Sequence, residues 1–157
     1  MSVKSTFLAL LILFCFFYSQ SQTTSVANGN WTSPTTWGGT PPTPGSTVII
    51  NHAVTMDMDY GYTSGSITIN ASGSLTGNSN MRGFALSGGA LTVNGTFNIG
   101  RVGLFSRTVN NSGTFQSDSL LNQTVFQNAS GGTINATQFM IGSGGVFING
   151  GTVVSTN

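Results

Sequence analysis

The chain has 157 residues, only 4% of them charged, and its four Lys and Arg against three Asp and Glu leave a formal charge of +1. Cations so few and so scattered make no positive stripe able to displace counterions from a phosphate backbone, which argues against nucleic acid as a partner. A single cysteine, Cys15, excludes a disulfide framework and a thiolate metal cluster.

Met1 to Lys4 is a short basic segment, and Phe7 to Tyr18 is an unbroken apolar run. The run falls well short of the roughly 20 residues that span a bilayer, and the small-polar Ser19-Gln20-Ser21 comes directly after it. Residues 1–21 are therefore predicted to be a secretory signal peptide cleaved after Ser21, with no membrane span left afterwards. Cleavage removes both Cys15 and Lys4. Arg82, Arg101 and Arg107 then balance Asp57, Asp59 and Asp118, and hydration of the surface rests on Asn, Ser and Thr. Such a neutral surface suits an extracellular module in contact with glycans or other solenoids.

Residues 22–47 differ from the rest of the chain, because both tryptophans and all four prolines lie within them. Trp31, Trp37 and the turn Pro41-Pro42-Thr43-Pro44-Gly45 read as an amino-terminal cap that shields the open end of a stack before the strand Val48-Ile49-Ile50. The alternative is that the two tryptophans form an aromatic platform for sugar rings.

From residue 48 to 157 one phrase recurs, a Gly, then Ser or Thr, then an apolar residue. Its glycines, Gly73, Gly95, Gly113, Gly132 and Gly151, are spaced by 22, 18, 19 and 19 residues, the near-constant period of a solenoid. Within each period, apolar residues alternate with small or polar ones, as in Ile67-Thr68-Ile69, Leu91-Thr92-Val93 and Val146-Phe147-Ile148, which marks extended strands with one buried face. Stacking two or three such strands per coil gives an all-β, right-handed parallel β-helix, with Asn near the turns able to bond from coil to coil. An antiparallel sandwich is the competing architecture. The period predicts Ile69, Val93, Ile99, Phe115, Ile134 and Ile148 inside, and Gly95, Gly113 and Gly132 at tight turns.

The run Asn30-Trp31-Thr32-Ser33-Pro34-Thr35-Thr36-Trp37-Gly38-Gly39, with Pro44 to Asp57 after it, resembles the opening of exported β-helix proteins of the Bacteroidetes. It is similar to the opening coil of the domain named for its eight glycines. The resemblance implies secretion or display at the cell surface as cargo of the type nine secretion system. In such relatives a carboxy-terminal sorting domain often comes after many more repeats, and this chain ends without one.

Chemistry-bearing residues are few. Asp57 and Asp59 are two apart, which on a strand would put both carboxylates on one face, the geometry of an acid and base pair or a calcium site, although a turn or capping role accounts for Asp57 as well. His52 stands alone and reads as structural. Arg101 and Arg107 flank Val102 to Phe105 and, with Trp31 and Trp37, are the candidate glycan contacts. Asp118-Ser119-Leu120 resembles a short O-glycosylation signal at Ser119, while the Asn-x-Ser/Thr triplets, abundant in this composition, matter only on a eukaryotic secretory route. No catalytic, cofactor or metal site is expected.

Three functions fit. The first is a non-catalytic secreted or surface-bound adhesive solenoid in contact with glycans or surface proteins, and the second is an accessory or catalytic domain of a carbohydrate-active enzyme. The third is an ice-binding solenoid, for which Thr68 and Thr92 supply part of an array that Asn98 and Phe147 are expected to interrupt. No aromatic plug or proline turn comes after Val154, so end-to-end self-association by strand addition is expected there.

Overall fold

The computed structural model describes residues 22–77, 83–105 and 107–155. The predicted signal peptide and Arg82 lie outside them. Short alternating runs closed by glycine or asparagine form strands of mostly three or four residues, and each turn of the chain lays them over those of the turn before. The opening turn comprises β1 (Gln22–Thr24), β2 (Gly29–Asn30) and a single helical turn, α1 (Pro34–Trp37). Three-sided coils come next: β3 (Thr47–Ile50), β4 (Ala53–Met56) and β5 (Tyr60–Tyr62), then β6 (Ser66–Ile69), β7 (Ser74–Gly77) and β8 (Gly83–Leu86). The third is β9 (Ala90–Val93), β10 (Thr96–Asn98) and β11 (Arg101–Leu104). In the two coils after that the second and third sides fuse, giving β12 (Thr108–Asn111) with the nine-residue β13 (Thr114–Asn122), and β14 (Val125–Asn128) with the nine-residue β15 (Thr133–Ile141). β16 (Val146–Asn149) and β17 (Thr152–Ser155) are the last described strands.

All strand pairs among the described residues are parallel, and the result is a β-solenoid of about 5 turns. The first face is one sheet in the order β1-β3-β6-β9-β12-β14-β16. The second face stacks β2, β4, β7, β10, the first half of β13, the first half of β15, and β17. On the third, β5, β8 and β11 lie over the second halves of β13 and β15. α1 comes after β2 in the opening turn, in the place in chain order that a third strand takes in the next three coils. Pro34 starts it with a suitable φ and no N–H to lose, and Gly38, left-handed at φ 66°, ends it. The predicted cap residues thus supply a strand to each of the first two faces as well as the aromatic cover: Trp31 meets Trp37 edge-on at 5.2 Å and Tyr60 at 4.9 Å.

Inward positions stack in columns. On the first face one column runs Val48, Ile67, Leu91, Val109, Phe126, Phe147. On the second, Val54, Leu75, Phe97, Phe115 and Ile134 succeed one another, and Phe97 and Phe115 stack at 4.6 Å. Of the six residues expected inside, Ile69, Val93, Ile99, Phe115 and Ile134 are fully buried, whereas Ile148 is 50% exposed. Three consecutive apolar residues, Val146 to Ile148, left two registers open, and pairing of Phe147 with Phe126 settles which one forms.

The other inward column of the first face begins Ile50, Ile69, Val93 and then changes to Asn111, Asn128, Asn149. Here the amides form the expected ladder: Asn111 Nδ2 donates to Asn128 Oδ1 and Asn128 Nδ2 to Asn149 Oδ1, each at 2.8 Å. A separate rung joins Asn70 to Asn51 at 2.7 Å. The Asn70 rung donates back to the earlier coil, whereas both rungs of the ladder donate forward to the later one, so the ladder's first acceptor, Asn111 Oδ1, lies on the side of its register partner Val93 and is buried without a partner.

The repeat glycines sit, as expected, in the turns between the first and second faces, but a left-handed backbone is not what requires glycine there. Gly95, Gly113 and Gly132 do not have left-handed backbones; the positive angles fall instead at glycines such as Gly65 and Gly89. What Gly113 lacks is room, since a Cβ there would sit 2.1 Å from the Gly95 carbonyl oxygen of the coil before. That carbonyl accepts the Thr114 N–H at 2.9 Å, so the interstrand ladder continues straight through the turn.

Candidate functional site

Outward positions on the third face are where side chains shrink. Gly61, Ala85 and Gly103 are register partners on β5, β8 and β11, and the same row continues as Leu121 and Met140. Three successive coils with no side chain larger than a methyl leave a trough of about 570 Å³ along the solenoid axis, within the usual range of ligand pockets. Phe105 forms one bank. It is 43% exposed, and its ring lies against Gly103, where a Cβ would come within 2.6 Å of the ring edge. The opposite bank is polar, made by Asp59, Arg101 and Ser119. Asp59 is held in place by accepting the Gly83 N–H at 2.7 Å, and Gly83 is the register partner of Arg101. The trough therefore has an aromatic side, a hydrocarbon floor ending in the half-exposed Met140, and a bank with one carboxylate and one guanidinium.

The sequence candidates divide accordingly. Arg101 and Ser119 come together in the trough. Arg107 does not join them; it lines a polar cleft of about 390 Å³ at another corner, with Gly65 and Gly89. There it holds φ at 70°, close to the 82° and 86° that Gly65 and Gly89 adopt in earlier coils, a strained backbone for a residue with a Cβ. Trp31 and Trp37 are 1% and 5% exposed and offer no platform to a sugar. Their rings close the end of the core, with the Trp37 Nε1 donating to the Trp31 carbonyl at 2.7 Å.

Asp57 and Asp59 lie on the connection between β4 and β5, and their carboxylates serve different places. Asp57 accepts from the Thr32 N–H and hydroxyl, pinning the opening turn to the next coil, while Asp59 serves the trough bank. Shared-face geometry fails because the strand ends at Met56. His52 Nδ1 lies 3.1 Å from the Ser25 hydroxyl, which also takes the Asn51 N–H, so the histidine is a structural partner. Among the described residues no three His, Cys, Asp or Glu side chains converge, and no helix is long and apolar enough to cross a membrane.

A second regular surface lies on the second face. Thr96, Thr114, Thr133 and Thr152 are consecutive register partners pointing outward, and Thr76, Asn98, Gln116 and Asn135 form the parallel row two residues on. Thr68 and Thr92 belong to a different column, on the first face, between Ile49 and Asn110. Neither Asn98 nor the inward Phe147 interrupts that column.

Phe105, Met140 and the three small floor residues escape sequence reasoning because the floor is assembled from separate coils. The threonine row was readable, since each of its members is the hydroxyl residue of the repeated phrase. No protein-family model matches the chain, and no curated protein or solved structure matches it.

Proposed function

We propose that this protein is a non-catalytic, exported β-solenoid module of the Bacteroidetes type, displayed or released at the cell surface, where it contacts glycan. The observation that carries this reading is the trough, which sets an exposed aromatic ring opposite an acceptor and a donor across a shallow hydrocarbon floor. Sugar rings are amphipathic in the matching way, with C–H faces that stack on aromatic and aliphatic carbon and hydroxyls that need both kinds of hydrogen-bond partner. Engagement of Asp57 by Thr32 and of Asp59 by Gly83 favours binding over cleavage, because neither carboxylate is poised as one half of an acid and base pair. A printed glycan array tests the reading. Retention of at least one glycan, lost on Phe105→Ala, is the expected result; retention of none overturns it. If the enzymatic alternative holds instead, polysaccharide cleavage appears and disappears on changing Asp57 and Asp59 to Asn.

A second reading, ice binding, is favoured by the row Thr96, Thr114, Thr133, Thr152. Parallel strands repeat its methyl and hydroxyl groups about every 4.8 Å on one surface. Thermal hysteresis of the chain, abolished by Thr114→Lys, is the result this reading expects, and freezing with no hysteresis at millimolar protein removes it.

A further inference from the structure

Resting on the glycan reading above, we infer that the ligand is a linear, uncharged polysaccharide lying parallel to the solenoid axis, gripped along its length. The direction comes from the register. The floor residues Gly61, Ala85, Gly103, Leu121 and Met140 come one from each of five successive strands, so the floor spans four inter-coil steps, about 19 Å. A floor so elongated fits a run of sugars better than one terminal residue. The neutral chemistry comes from the bank. Among the described lining residues the charged side chains are Asp59 and Arg101, one of each sign, on the same side. A polyanion meets the Asp59 carboxylate and a polycation meets the Arg101 guanidinium, whereas hydroxyls accept from one and donate to the other. Phe105 on the opposite bank supplies the ring against which the chain stacks, and its ring edge occupies the space that a Cβ on Gly103 would take.

The same geometry supplies a blocking variant. No atom lies within 4 Å of the position a Cβ would take on Gly61, whose backbone is not left-handed, so Gly61→Leu fills the trough without disturbing the coil. Isothermal titration of the protein with glucose, cellobiose and cellohexaose, with the xylan and mannan hexamers, and with an oligogalacturonate of equal length makes the test. At least one neutral hexamer is expected to bind, about tenfold or more tighter than its disaccharide, and Gly61→Leu and Phe105→Ala are each expected to weaken it about tenfold. Circular dichroism of both variants checks that the coils persist. Binding of the oligogalacturonate alone overturns the inference and leaves the glycan reading standing. Neutral binding that is as tight for glucose as for a hexamer, or that survives both variants, also overturns it. Failure of every probe here, together with an empty glycan array, removes both.

Discussion

Glycine is used at two kinds of position in this chain, and only one concerns backbone angle. At Gly113 the neighbouring coil's carbonyl occupies the place of a side chain, so a β-branched residue must push apart two hydrogen-bonded turns. Gly113→Val is expected to lower stability by about 1–3 kcal/mol in chemical denaturation, the range of overpacked sites. Gly61→Ala, with open space around it, should stay within about 1 kcal/mol of the parent. The spacing of the phrase was plain in the sequence, but its cause was not, because close approach between residues 18 apart leaves no local trace. For the same reason the trough was hidden: Gly61, Ala85 and Gly103 carry no motif and matter only once stacked.

At the scale of the strand, the asparagine ladder is the most committed element. Asn128 accepts from Asn111 and donates to Asn149 and to the carbonyls of Gly132 and Thr152, all inside a core where it is 1% exposed. Asn128→Val fits the column by size but strands these groups, and about 2 kcal/mol of stability should be lost. That asparagines would stack could be read from their place beside each turn. Which apolar residue points inward could be read wherever alternation was clean, as in Ile67-Thr68-Ile69, and could not in Val146-Phe147-Ile148. The strand β5 carries a pH signature of its own. Burial pushes the Tyr60 and Tyr62 phenols up to about 12 from 10.0, and each neutral hydroxyl donates to a backbone carbonyl, that of Pro42 and of Ser66 respectively. Their folded pKa values exceed the unfolded ones, so the unfolded chain loses these protons first as pH rises. Their contribution is complete below pH 10 and declines between about 10 and 12. Thermal melts across that interval should show the decline, and the double variant Tyr60→Phe, Tyr62→Phe should flatten it.

Across the whole molecule, order and exposure are distributed unequally. The opening turn is closed by Trp31, Trp37 and α1, while at the other end, among the described residues, β16 and β17 each pair on one side, and Ile141, Ile148 and Val154 are 54%, 50% and 44% exposed. Unpaired strand backbone beside apolar side chains favours addition of further strands. Sedimentation of the chain as it stands is expected to show concentration-dependent association, and Val153→Lys with Val154→Pro should shift it toward monomer. A preparation that stays monomeric at high concentration contradicts this. The architecture was legible because it rests on a repeated phrase, and the ligand surface was not, because it rests on what the repeats leave out. The coil geometry carries one more consequence, a mechanical one. Hydrogen bonds between coils point along the axis, so a pull along that axis loads one rung of the stack at a time and not all of them in parallel. Each coil of 18 to 22 residues that peels away releases about 60–75 Å of extended chain in exchange for about 4.8 Å of stack height. Under tension the solenoid unspools as a tether that lengthens stepwise before it parts.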